Sequence, residues 1–357
     1  MSADLKILIV DDSPFYRQLL ISSIEKSGKF QLGGAAVDGE QAIRMVLRKR
    51  PDLILLDLEM PRMDGFTFLR WLMVNIPIPV IVVSSKADVQ STVKALELGA
   101  ADFLVKPGPQ DSPIDFEQQL VRRIEVVGQI SIKKLVTRTA LSRETRSALL
   151  SAPAASLAGP GPEGSRTQKL RAVIIGASTG GPTAIFSIIP MLPKDFTVPI
   201  CIAQHMPGGF TKSFAERLNK LSKLNVYEAQ GGEPLNGGQV YIAPGGFHLL
   251  VGLKGGTAVT KLRPREPDDR YAPSVDELMI SASVACKGSV LGILLTGMGN
   301  DGLIGMKRIR ADGGSTLAEA EETAVVFGMP REAIEAGVVD HVVPLDRMAR
   351  EIAALCA

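Results

Sequence analysis

The chain has 357 residues, 45% hydrophobic and 22% charged, with a formal net charge of +2. This size predicts two domains with ordinary cores, and the near-neutral balance gives no support to bulk electrostatic binding of nucleic acid or of an anionic membrane. Cys201, Cys286 and Cys356 fall in no metal-ligand spacing and read as reduced thiols. The N-terminus has no signal-peptide layout, and the uncharged stretch 172–193 is broken by glycines and prolines, so it makes a poor membrane span. A soluble, cytoplasmic protein without direct membrane insertion is expected.

In the N-terminal half, strands are expected over 5–10, 30–36, 53–56, 79–83 and 102–105. Helices are expected over 14–27, 39–49, 89–98 and 115–137. Strands alternating with helices imply a parallel doubly wound sheet. The polar groups fall at strand C-termini: Asp11 and Asp12 after the first, Asp57 after the third, Ser84 after the fourth and Lys106 after the fifth. Ligands bind at that edge of an open parallel sheet. Three carboxylates converging there repel one another, and a hard Mg²⁺ ion resolves the repulsion. A hydroxyl and a lysine beside the ion complete a site for an aspartyl phosphate, with Asp57 as the nucleophile. Acids at strand ends also cap helices and turns, but that explains less well Asp-Asp, Asp, Ser and Lys-Pro in this order.

This half, residues 5 to about 127, resembles a two-component response-regulator receiver domain. The resemblance is carried by Val10-Asp11-Asp12-Ser13, Leu56-Asp57-Leu58-Glu59-Met60-Pro61, Asp64-Gly65, Ser84-Ser85 and Lys106-Pro107. It implies Asp57 as phosphoacceptor, Asp11 and Asp12 around Mg²⁺, and the Glu59 backbone carbonyl as a further metal ligand. It also implies Ser84 as the hydroxyl that follows the phosphate and Lys106 as its ion-pair partner. Ser85 is adjacent, so Ser84 is chosen by position. Phe103 stands where the family has a switching aromatic; a core phenylalanine is the alternative.

Residues 139–167 are rich in small residues and proline, a composition that buries too little surface to order itself. The expected organisation is a receiver over 1–137, a flexible linker over 138–168 and a catalytic domain over 169–357.

The C-terminal half opens on an apolar run ending in Gly176-Ala177-Ser178-Thr179-Gly180, a G-x-S-x-G pattern, before a helix over 183–192. A sharp strand-turn-helix lifts a serine hydroxyl above the sheet edge, where backbone N–H groups can bind an oxyanion. A tight turn or a phosphate loop is the plainer reading of this stretch alone. Strands are expected over 198–204, 225–230, 240–243 and 290–295, an antiparallel hairpin over 248–262, and helices over 210–221, 274–286, 303–310 and 345–355. The tail supplies one more strand-and-helix unit. The fold class is thus α/β throughout: two doubly wound parallel-sheet domains, a flavodoxin-like receiver and a Rossmann-like serine hydrolase.

Serine needs a base, and the base needs an acid to fix its tautomer. Of His205, His248 and His341, His205 ends a strand on the Ser178 edge, whereas His341 begins one. His248 begins the hairpin and reads as structural. Asp301 lies in a glycine-rich loop after a further parallel strand. Ser178, His205 and Asp301 are therefore brought together by topology; Ser178–Asp301–His341 is the rival. The backbone groups of Thr179, Gly180 and Met298 are candidate oxyanion or substrate-loop groups.

Residues from about 170 to 357 resemble the catalytic domain of the chemotaxis protein-glutamate methylesterases. The matching motifs are Ile175-Gly176-Ala177-Ser178-Thr179-Gly180-Gly181-Pro182, Gln204-His205-Met206-Pro207 and Thr296-Gly297-Met298-Gly299-Asn300-Asp301-Gly302. The resemblance implies hydrolysis of γ-glutamyl methyl esters on methyl-accepting chemoreceptors and deamidation of receptor glutamines. It also implies a histidine kinase as phosphodonor and a receiver that restrains the esterase until Asp57 is phosphorylated. No cofactor is expected for the esterase reaction, and a monomer is expected. A binding module without chemistry and a DNA-binding regulator are the alternatives; the second lacks a basic face and a helix-turn-helix pattern.

Overall fold

The computed structural model describes residues 5–85, 88–108, 110, 112–130 and 170–357. The expected linker, and the 131–137 end of the helix expected before it, lie outside them. The chain divides into two compact units, Met1–Thr139 and Ala140–Ala357.

The first unit is a parallel sheet of β1 (Lys6–Val10), β2 (Gln31–Ala36), β3 (Leu53–Leu56), β4 (Val80–Ser84) and β5 (Asp102–Val105), in the order β2-β1-β3-β4-β5. That is the flavodoxin-like order, with its switch point between β1 and β3. The register pairs Val10 with Leu56, so Asp11 and Asp57 leave the sheet side by side. Helices α1 (Pro14–Ser27), α2 (Gly39–Arg48), α3 (Gly65–Asn75) and α4 (Val89–Glu97) connect the strands, and α5 (Pro113–Val127) follows β5. Sequence supplies their ends: Ser13, Asp38, Asp64 and Ser112 accept N-terminal N–H groups, and Gly28 closes α1 in the left-handed region at φ 61°. Helix α3 has no clear period in the sequence. Phe66, Phe68, Leu69, Trp71, Leu72, Met73 and Val74 leave little polar face to set a period. Gly65 is required there, because a Cβ would lie 2.2 Å from the Asp57 carbonyl oxygen.

The second unit is a seven-stranded sheet in which every pairing is parallel. Its strands are β6 (Ala172–Ala177), β7 (Ile200–Gln204), β8 (Asn225–Glu228), β9 (Gln239–Ile242), β12 (Val290–Leu294), β13 (Ser315–Glu319) and β14 (His341–Val343). They run β14-β13-β12-β6-β7-β9-β8, so the winding reverses at β6, whose neighbours are β7 and β12. The hairpin β10 (Phe247–Lys254) and β11 (Thr257–Pro264) turns at Gly255-Gly256 and buries Leu249 and Val251 against Leu278, Met279 and Ala282. The helices are α6 (Gly181–Ile188), α7 (Phe210–Leu221), α8 (Val275–Ala285), α9 (Leu303–Ala311), α10 (Met329–Glu335) and α11 (Leu345–Leu355).

Three expectations need correction. The helix expected over 115–137 ends at Val127, and residues 128–130 are already out of it. The helix after Ser178 begins at Gly181 and stops at Ile188, where Pro190, lacking an N–H, tightens Ile189–Met191 into a 3₁₀ turn. The tail supplies two strands and two helices after α9: besides β14, which His341 opens, and α11, it holds β13 and α10. Among the described residues no helix is long and apolar enough to cross a membrane.

Candidate active site

In the first unit, Lys106 Nζ lies 2.6 Å from Asp57 Oδ2 and 2.8 Å from Asp11 Oδ2. Asp57 Oδ1 accepts the Leu58 N–H at 2.8 Å. Burial pushes the Asp57 carboxyl up and neighbouring Asp11 adds to this; the Lys106 contact opposes it without cancelling it. Burial lowers the Lys106 ammonium, but its bonds to the two carboxylates outweigh that and raise it. Carboxylate oxygens of Asp11, Asp12 and Asp57 lie within 4.8 Å of one another. Asp12 is exposed, and the Glu59 carbonyl accepts no hydrogen bond from the described residues. A hard-oxygen donor set of this kind, open to water on one side, fits Mg²⁺. Ser84 ends β4 with a buried hydroxyl 3.4 Å from Asp88 Oδ2. Phe103 is buried on β5, with the Arg123 guanidinium 5.9 Å from its ring centre.

In the second unit, Ser178, His205 and the 296–301 loop follow β6, β7 and β12, the three strands around the switch point. Backbone bonds tie these ends together. The Ser178 N–H donates to Thr296 at 3.0 Å and the His205 N–H donates to Ala177 at 3.0 Å. Gly180, at φ 77°, turns the chain into α6. Gly297 permits close approach, since a Cβ there would lie 2.7 Å from Ser178 Cβ. Ser178 is half-buried, and its Oγ makes no hydrogen bond to a described residue. The buried Gln204 amide donates to the carbonyls of both Ser178, at 2.9 Å, and His205, at 3.1 Å.

His205 Nε2 lies 2.8 Å from Asp301 Oδ2. That carboxylate is seated on the N-terminus of α8: Oδ2 accepts the Val275 N–H at 2.8 Å, and Oδ1 accepts the Asp276 N–H at 2.9 Å and the Ser274 hydroxyl at 3.1 Å. Burial alone would raise the Asp301 carboxyl, but His205 and the two N–H groups hold it below the usual carboxylate range. The Met298 N–H is bonded to no described residue. His341 opens the edge strand β14 and is exposed, at the opposite end of the sheet from the Ser178 turn.

The loop that carries Asp301 gives no sign of its seat, although Ser274 and Glu277 form an S-x-x-E capping pattern that marks a helix N-terminus. Gln204 stood in a motif without a role. A Cβ at Gly181 would lie 2.0 Å from Gln204 Oε1 and 2.7 Å from Ala177 Cβ. Gly181→Ala is therefore expected to push Gln204 off both carbonyls and to cost about 2–4 kcal/mol in urea unfolding. A variant as stable and active as the parent would show that the Gln204 clamp is dispensable.

Fold and site together define a class, a serine hydrolase of α/β type joined to a response-regulator receiver. Comparison with known proteins narrows it. The response-regulator receiver domain model matches residues 7–114, and the CheB methylesterase model matches residues 173–352. Protein-glutamate methylesterase/protein-glutamine glutaminase 3 of Geobacter sulfurreducens is 43% identical over 99% of this chain and 97% of its own length. The Pyrococcus horikoshii protein-glutamate methylesterase/protein-glutamine glutaminase is 39% identical over 98% of this chain and 92% of its own. The crystal structure of the Thermotoga maritima CheB methylesterase catalytic domain is 42% identical, covers 53% of this chain and all of that one, and superposes with a TM-score of 0.51. The chain belongs to the CheB methylesterase family.

Proposed function

We propose that this chain hydrolyses glutamate methyl esters on methyl-accepting chemoreceptors and deamidates receptor glutamines, under control of phosphorylation at Asp57. The observation that carries the reading is the His205–Asp301 pair on the sheet edge that presents Ser178. Proteins of this type in general act on chemoreceptors and take phosphate from a kinase.

Ser178 Oγ attacks the ester carbon and His205 removes its proton. Because Nε2 donates to Asp301, the free lone pair is on Nδ1, and Nδ1 is the base. This reverses the more familiar arrangement in which Nε2 faces the serine. Asp301, kept ionised by its seat on α8, holds the tautomer and stabilises the imidazolium. The Met298 N–H, with the Thr179 and Gly180 backbone, stabilises the oxyanion. On collapse the methoxide takes the proton from Nδ1 and leaves as methanol. Water, deprotonated by the same nitrogen, then cleaves the acyl-enzyme. With glutamine the leaving group is ammonia.

In the receiver, Asp11, Asp12, Asp57 and the Glu59 carbonyl would hold Mg²⁺, which when bound neutralises charge on the incoming phosphoryl group. Ser84 and Lys106 then engage the phosphate, and the receiver's restraint on the esterase is released. The domain boundaries near 137 and 169 and a cytoplasmic site of action belong to the same reading. Incubating the full chain with methylated receptor membranes and acetyl phosphate is expected to release methanol and to convert receptor glutamine to glutamate. Receptor binding without either product would favour the binding-module alternative.

A further inference from the structure

His205 is held at one vertex by Asp301, which leaves its ring free to swing about the line through Nε2. With Nδ1 as base, that swing moves the lone pair off the serine proton. A second contact fixes the plane. The Tyr271 ring lies parallel to the imidazole, centres 4.4 Å apart at an interplanar angle of 6°. Its hydroxyl is lodged against the loop that carries Met298 and Asp301: a Cβ at Gly299, itself at φ 89°, would lie 2.9 Å from Tyr271 Oη. The Arg270 guanidinium stands 5.2 Å from the Tyr271 ring centre.

Tyr271 sits on a largely exposed segment between β11 and α8, so its position must come from an anchor. Arg263 on β11 reaches Asp269 Oδ2 at 3.0 Å, Asp269 Oδ1 at 3.2 Å and Glu277 Oε1 at 2.6 Å. The buried His248 on β10 places Nε2 2.9 Å from Asp269 Oδ2, and Asp269 also accepts the Glu266 N–H at 2.7 Å. Asp269 therefore ties the segment to the hairpin, and Arg263 ties it to the first turn of α8, whose N-terminus seats Asp301. Arg263 already provides a cation between the two carboxylates, so the cluster of His248, Asp269 and Glu277 acts as a fastening.

We propose that Tyr271 is a positioning residue for the base: it fixes the plane of the His205 imidazole, and the Arg263–Asp269–His248–Glu277 cluster fixes Tyr271. The proposal rests on His205 being the base. It predicts that a flat ring at 271 matters and the hydroxyl does not.

The test measures kcat and KM for methanol release by the full chain with acetyl phosphate. Tyr271→Phe is expected to stay within about threefold of the parent, and Tyr271→Leu to lose about 10- to 100-fold in kcat with KM nearly unchanged, as for a misplaced catalytic group. Asp269→Ala is expected to lower kcat in the same sense, and Tyr271→Leu/Asp269→Ala to be no worse than Tyr271→Leu, because the two act through one contact. A parent-like kcat for Tyr271→Leu, a loss confined to KM, or additive losses in the double variant would overturn the proposal. Should Tyr271→Leu fail to fold by circular dichroism, Asp269→Ala decides: unchanged kcat refutes the anchor. His205→Ala run alongside separates the two readings, since activity there removes His205 as base whatever happens at 271.

Discussion

Ser178→Ala is expected to release methanol from methylated receptor membranes at least about 10⁴-fold more slowly than the parent, with its unfolding transition unchanged. The variant should fold because the Ser178 hydroxyl makes no hydrogen bond to a described residue, while the backbone bonds to Thr296 and Gln204 remain. The loss should be large because the proposed chemistry runs through an acyl-enzyme on Ser178 Oγ. His205→Ala should fall to a similar level, and the double variant should be little worse than either alone, since nucleophile and base act as a unit. His341→Ala is the control. Exposed at the start of β14, three places from β6 in the strand order, it should be near the parent. A dead His341→Ala with an active His205→Ala would require the site to be rebuilt on the other histidine.

The second large effect is expected in the receiver. Acetyl phosphate with Mg²⁺ should raise esterase activity of the full chain by about tenfold or more, the size expected if the restrained form outweighs the competent one by that ratio. Asp57→Asn should abolish the increase and leave the basal rate, and EDTA should do the same to the parent. The physical reason is the balance at Asp57. In the proposed scheme the Asp57 carboxylate, buried and shared with Lys106, takes up a phosphoryl group whose charge draws the ammonium and a hydroxyl toward it. A phosphodonor response that survives in Asp57→Asn would place the phosphoacceptor elsewhere. A truncated chain starting near Gln168 that is no more active than the unphosphorylated full chain would remove the restraint from the scheme.

Much of this was legible in the order of residues. Alternating strands and helices are local patterns, set by side-chain period and by capping residues such as Ser13 and Asp38. In a parallel sheet the residue after each strand falls on one edge, so Asp11, Asp57 and Lys106, and likewise Ser178, His205 and Asp301, could be gathered from position alone. Helix α3 escaped because an apolar run with little polar face carries no period. Strand β13 escaped because Ser315-Thr316-Leu317-Ala318-Glu319 carries only two apolar side chains in five residues.

Strand ends and turn glycines are local features of the chain, and they fix the class of both sheets, the edge on which polar groups gather and the residue types found there. The contacts among those residues belong to the tertiary structure. Which nitrogen of His205 meets Asp301 depends on where α8 presents its N-terminus to the loop after β12. The Gln204 clamp depends on the register of β6 against β7. The Tyr271 stack depends on a hairpin fastened through side chains on β10, β11 and α8. Each is a contact between segments distant in the chain, fixed by packing and hydrogen bonding across the switch point, and no local pattern encodes it.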